Sequence, residues 1–144
     1  MRRDDLAVGQ PFAVGVNSWP RRKAMYWWQD FDRDEVAEEF DVIASLGMRI
    51  VRLFLLWEDF QPTPDAVSAE ALAHLEIVCD VAEERGLGLD VTFFTGHMSG
   101  PNWAPSWLLG GDEAVPEGRQ VISGANRDAG AYRNPFVDGL ALDA

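Results

Sequence analysis

The chain has 144 residues, 47% of them hydrophobic and 25% charged, which suits one globular domain with a core of its own. Twelve basic side chains against twenty-four acidic ones give a net charge of -12. That balance disfavours nucleic acid and anionic membrane surfaces, whose phosphates would repel it, and is compatible with a neutral partner such as a polysaccharide.

The start, Met1-Arg2-Arg3-Asp4-Asp5, has no apolar stretch behind it and does not read as a secretory signal. No segment approaches the roughly 20 apolar residues that span a bilayer. As written, the chain reads as cytoplasmic. Phe12-Ala13-Val14-Gly15-Val16 is a short apolar run ending at Asn17 and predicts a buried strand. An aromatic loop from Ser18 to Phe31 follows. Asp32 then reads as a helix N-cap, with Glu35 in capping-box position. Val36, Phe40, Ile43 and Ala44 recur at helical spacing, and Gly47 ends the helix. Arg49 to Phe54 predicts a second strand, followed by a loop with Trp57, Glu58, Asp59, Pro62 and Pro64.

Ser68 is the expected cap of a second helix. Leu72, Leu75, Val78, Cys79 and Ala82 form its expected apolar stripe, and Gly86 stops it. Cys79, the one cysteine, is expected in the core, and no intrachain disulfide is possible. Leu87 to Phe94 predicts a third strand. Thr95 to Arg133 shows no periodicity, and Asn134-Pro135 could start a further helix. Strand-helix-strand-helix-strand predicts βαβ units and a parallel sheet, with the three strands adjacent in chain order. A complete (β/α)8 barrel needs roughly 250 residues. The expected class is therefore α/β: a partial (β/α)8 barrel of about three units with a long third loop. Residues 1–144 would be its amino-terminal part, ending before strand four.

All six tryptophans fall in the loops that follow predicted strands: Trp19, Trp27 and Trp28 after the first, Trp57 after the second, Trp103 and Trp107 after the third. In a parallel α/β protein those loops open at the ligand-binding end. Indole faces suit the apolar faces of pyranose rings, so these six, with Asn17, are the candidate substrate-binding residues. Arg52 interrupts an apolar strand and needs an anionic partner if buried; otherwise it points outward to a helix carboxylate. His97 lies just past the third strand, while His74 is expected mid-helix and exposed. Two histidines so placed do not suggest zinc, and neither a metal nor any other cofactor is expected. Glu58 and Asp59 are sequence neighbours whose side chains normally diverge, so they read as loop-structuring or rim residues and not as a catalytic pair.

Phe12 to Pro20, the Met48-Arg49-Ile50-Val51-Arg52-Leu53-Phe54-Leu55-Leu56-Trp57 run after Gly47, and Gly86 to Phe94 followed by His97 together resemble clan A glycoside hydrolases, in particular family 5 cellulases and β-mannanases. The resemblance covers about Phe12 to Trp107. It implies a retaining glycosidase acting on β-linked glycans of the cellulose or mannan type. It implies that Arg52 hydrogen-bonds the nucleophile and that His97 lines the cleft. It also implies that the acid/base Glu follows an Asn at strand four and the nucleophile Glu ends strand seven, positions this sequence does not contain. Alone, the chain is then expected to be inactive, with a polysaccharide or oligosaccharide as the partner of the whole enzyme, and to self-associate through open sheet edges. The alternatives are a non-catalytic carbohydrate-binding module and a piece of another barrel enzyme.

Overall fold

The computed structural model describes residues 12–95, 102–105, 107 and 119–122. Its elements are β1 (Gly15–Asn17), a 3-10 turn (Ala24–Tyr26), α1 (Arg33–Ser45), β2 (Ile50–Leu56), α2 (Trp57–Phe60), α3 (Ala69–Glu84), β3 (Gly88–Thr95), β4 (Asn102–Pro105) and β5 (Arg119–Ile122). Strands β1, β2 and β3 form one parallel sheet in that order, the opening of a (β/α)8 barrel. Gly15, Val16 and Asn17 pair with Ile50, Val51 and Arg52. Gly88 N–H donates to Arg49 O at 2.8 Å where β3 starts beside β2. The chain divides into two compact units, Met1–Phe54 with Glu70–Thr92 and Leu55–Ala69 with Phe93–Ala144.

In the first unit the helix boundaries follow local chemistry. The Asp32 carboxylate accepts from the N–H groups of Asp34 and Glu35, as an N-cap should. Glu35 does not close the expected capping box. Its carboxylate is buried and meets Lys23 Nζ at 3.1 Å. Partial loss of water pulls the Lys23 pKa down, but hydrogen bonds to Glu35 and Asp30 outweigh it and hold the ammonium above the usual lysine value. Gly86 (φ 64°) closes α3: Leu87 N–H reaches Ala82 O at 2.9 Å and Gly86 N–H reaches Glu83 O at 3.0 Å, the paired bonds of a Schellman motif. Gly47 (φ 78°) ends α1 in the same left-handed region.

Val36 and Phe40 of α1, Val78, Val81 and Ala82 of α3, and Val51 and Leu53 of β2 are buried together as the core. Fully burying each such aliphatic side chain contributes roughly 1.5–3 kcal/mol. Ion pairs tie α1 to α3 beside them. Arg33 meets Glu84 at 3.1 Å, and Arg85 donates to Asp41 at 2.8 Å, a bond that raises the Arg85 pKa further.

Several expectations change. The first strand is shorter than predicted and is not buried: Phe12 and Val14 are exposed, because β1 is the edge of the sheet and has β2 alone as neighbour. The second strand runs two residues further, to Leu56. The stripe of α3 is rotated; Ala71, Val78, Val81 and Ala82 are its buried residues, whereas Leu72 and Cys79 are exposed. The Cys79 thiol is pushed up by partial burial and by Asp80 and Glu76, which disfavours a reactive thiolate. The loop after β3 contains an antiparallel pair, β4 with β5, that no periodicity signalled in four-residue strands. The possible helix at Asn134 lies outside the described residues.

Among the described residues no helix is long and apolar enough to cross a membrane, and no group of three or more His, Cys, Asp or Glu could hold a metal ion.

Candidate functional site

Alternation along β2 sorts its side chains onto two faces. Val51 and Leu53 are buried toward the helices, and Arg52 and Phe54 occupy the opposite face. Arg52 is charged and 44% exposed there. Its Nε donates to Thr92 Oγ1 at 2.8 Å and lies 3.9 Å from Asp90 Oδ2, both on β3. Its guanidinium sits 5.1 Å from the Phe54 ring centroid, and Trp19 stacks on that same ring at 4.8 Å and 9°. Asn17 is the β1 partner of Arg52 in register, and Ser18 N–H donates to Arg52 O at 2.9 Å. Gly15, Asn17, Arg52 and Asp90 border an open depression. A Cβ at Gly15 would stand 3.0 Å from Ile50 Cβ and O, so a larger residue there would press on β2.

Arg52 therefore lies on the helix-free face, and its carboxylate neighbour is on a strand and not on a helix. Among the described residues none accepts a hydrogen bond from its terminal Nη groups, so the bidentate edge of the guanidinium remains open to an anion. Sequence reasoning missed Asp90 and Thr92. The signal was present: Asp90 interrupts an apolar strand, as Arg52 does in β2.

In the second unit, Trp57 opens the one-turn helix α2 directly after β2. Trp57 and Trp107 meet edge to face, with centroids 5.6 Å apart at 86°, and Phe94 approaches Trp57 at 5.4 Å and 63°. Both indoles are half-buried. Glu58 and Asp59 follow Trp57 on the same turn, where successive side chains project about 100° apart. Both are half-buried, and one carboxylate oxygen of each is shut off from solvent, as in side chains that structure the loop.

Trp27 and Trp28 depart most from expectation. Each is only 3% exposed. Their rings pack at 3.8 Å against each other, Trp28 donates its Nε1–H to Phe54 O at 2.9 Å, and Phe31 lies stacked between Trp28 and His74. No ring face is left for a sugar, so these two indoles build the core beneath the loop. His74, expected exposed, is half-buried against Phe31 at 4.2 Å. Composition alone could not separate buried from open tryptophans within one aromatic loop. His97 lies outside the described residues. Trp103 belongs to β4, not to a loop; of its side chain nothing is described.

No family model matches the chain, and no curated protein matches it. Solved structures do. A family 5 subfamily 18 glycoside hydrolase from Streptomyces cattleya, in complex with Manβ1-4GlcNAc, is 31% identical with a TM-score of 0.72, over 92% of this chain and 28% of that one. An exo-beta-1,4-mannosidase from Opitutaceae bacterium strain TAV5 is 39% identical with a TM-score of 0.64, over 66% of this chain and 17% of that one. A subfamily 18 enzyme from Bifidobacterium longum subsp. longum is 32% identical with a TM-score of 0.66, over 69% and 24%. The chain thus spans between 17% and 28% of the length of these structures. Its three parallel strands and their helices have the fold of a part of a family 5 glycoside hydrolase barrel.

Proposed function

We propose that the chain is the amino-terminal part of a retaining β-glycosidase of clan A, and that the whole enzyme acts on β-1,4-linked mannosyl glycans. The observation that carries this reading is Arg52, held by Thr92 and Asp90 on the helix-free face with its fork open to an anion. Similarity to an exo-beta-1,4-mannosidase and to an enzyme complexed with Manβ1-4GlcNAc supports the sugar. In this reading Arg52 holds the nucleophilic carboxylate, and His97 and Asn17 line the cleft. Trp19, Trp57, Trp103 and Trp107 contact the saccharide, and Trp27 and Trp28 support the loop from below. The chemistry calls for no cofactor.

The whole enzyme should release mannose from Manβ1-4GlcNAc and from β-1,4-mannobiose with retention at the anomeric carbon, which NMR of the first-formed anomer reads directly. The purified 144-residue chain should show no turnover, because acid and nucleophile are the core of the mechanism. Turnover by the chain that Glu58→Gln abolishes would reassign the carboxylates. The chain alone should also self-associate: β1 and β3 are the sheet's outer strands, and Phe12, Phe93 and Phe94 are exposed. Sedimentation velocity should show concentration-dependent species above the monomer; a single monomeric boundary at all concentrations would contradict this.

A further inference from the structure

Gln61 makes four hydrogen bonds, three of them to two tryptophans. Its backbone N–H donates to Trp57 O at 2.7 Å, and its side-chain Oε1 accepts from the Trp57 indole N–H at 2.8 Å. Its Nε2 donates to Pro64 O at 2.9 Å, and its backbone O accepts from the Trp107 indole N–H at 3.1 Å. Both indole donors therefore end on one residue, which closes α2 as its C-cap. The rings they orient meet at 86°, forming a corner. Phe94 braces the corner from a left-handed backbone (φ 51°), a conformation bulky residues rarely adopt and one found where surrounding contacts enforce it.

We propose that Gln61 is a specificity-determining positioning residue: it fixes Trp57 and Trp107 as a preformed corner that receives the apolar face of a pyranose ring. The inference rests on the carbohydrate reading above and extends it to a residue outside the catalytic set. Because Gln61 already accepts both indole N–H groups, the corner presents ring faces and not donors. It selects a saccharide by shape and by the C–H face that the configuration of its hydroxyls leaves apolar. Fixing both rings beforehand removes ordering cost from binding, since immobilising a free side chain costs about 0.5–1.5 kcal/mol.

The test uses the full 144-residue chain, with β-1,4-mannotriose as the probe and the indole 1H–15N resonances of Trp57 and Trp107 as the readout. In the wild type both resonances should shift on titration. Gln61→Met keeps side-chain length and removes the acceptor. It should move the Trp57 resonance in the free protein, leave the Trp107 resonance near its place because that indole bonds a backbone oxygen, and weaken binding about tenfold. Gln61→Glu keeps the Oε1 acceptor but loses the Nε2–H that donates to Pro64 O, so it should return the Trp57 resonance toward its wild-type place and recover part of the affinity lost in Gln61→Met. If Gln61→Met does not fold, Gln61→Ser removes the same acceptor and carries the same expectation. Unchanged affinity in Gln61→Met with a displaced Trp57 resonance would overturn the positioning role and leave the carbohydrate reading intact. No shift of either indole with any β-1,4-linked mannoside in the wild type would overturn both.

Discussion

In the whole enzyme proposed above, Arg52→Lys is expected to lower kcat about 10²-fold, a few kcal/mol of transition-state stabilisation, while KM changes little. The geometry around Arg52 gives the reason. Its Nε is engaged by Thr92 Oγ1 at 2.8 Å, and Asp90 stands 3.9 Å away on the same strand. These two contacts fix the plane of the guanidinium and leave the Nη edge to meet a carboxylate with two parallel bonds. Lysine keeps the charge but has no fork, and one ammonium cannot hold Thr92 and orient a carboxylate in the same geometry. KM should be spared because, in the proposed reading, the aromatic residues hold the sugar and Arg52 does not.

The pH profile separates charge from shape. A neighbouring cation lowers a carboxylate pKa, so removing it raises that pKa. Arg52→Met should therefore move the acidic limb of kcat/KM to higher pH, whereas Arg52→Lys should leave the limb near its place and lower the plateau. If Arg52→Lys retained full kcat and lost only thermal stability, Arg52 would be a structural partner of Asp90. As an exposed pair, that interaction would be worth no more than about 1 kcal/mol.

What was legible in the sequence followed from local rules. Asp32, Gly47 and Gly86 mark helix ends through capping and left-handed backbone, and these depend on a few adjacent residues. The order β1-β2-β3 followed from the alternation of strands and helices, and Arg52 stood out because a charge interrupts an apolar strand. What failed depended on distant contacts. Glu35 looks like a capping-box residue until Lys23, twelve positions earlier, arrives in space and takes its carboxylate. Cys79 and Leu72 fit a helical stripe by spacing, but the face that α3 buries runs through Ala71, Val78 and Val81. The β4–β5 pair is too short to carry a period. The aromatic loop was located correctly, yet its tryptophans divide in a way that spacing cannot reveal, since Trp19 stacks on Phe54 beside the open sheet face and Trp28 passes beneath to the Phe54 carbonyl.

That division predicts opposite phenotypes within a single loop. Trp28→Ala should cost about 3–5 kcal/mol of stability, the range for deleting a buried aromatic side chain. Native proteins hold only about 5–15 kcal/mol in all, so the substituted chain should unfold at a markedly lower urea concentration and temperature than the wild type. Trp28 is 3% exposed, and its ring packs with Trp27 and Phe31. Removing it opens a cavity in the first unit and strips the Phe54 carbonyl of the indole donor 2.9 Å away, a loss of about 1–3 kcal/mol if no water replaces it. Trp28→Phe keeps a ring and loses the donor, so it should fall between Trp28→Ala and the wild type. Trp19→Ala should do the reverse. Trp19 is half-buried, and its ring covers Phe54 on the side where Arg52 lies, so saccharide affinity should fall more than stability. Urea denaturation of each variant, followed by saccharide titration of those that remain folded, separates the two. If Trp28→Ala kept its midpoint and lost saccharide affinity, Trp28 would belong to the binding face, and the loop would present its indoles to the ligand together.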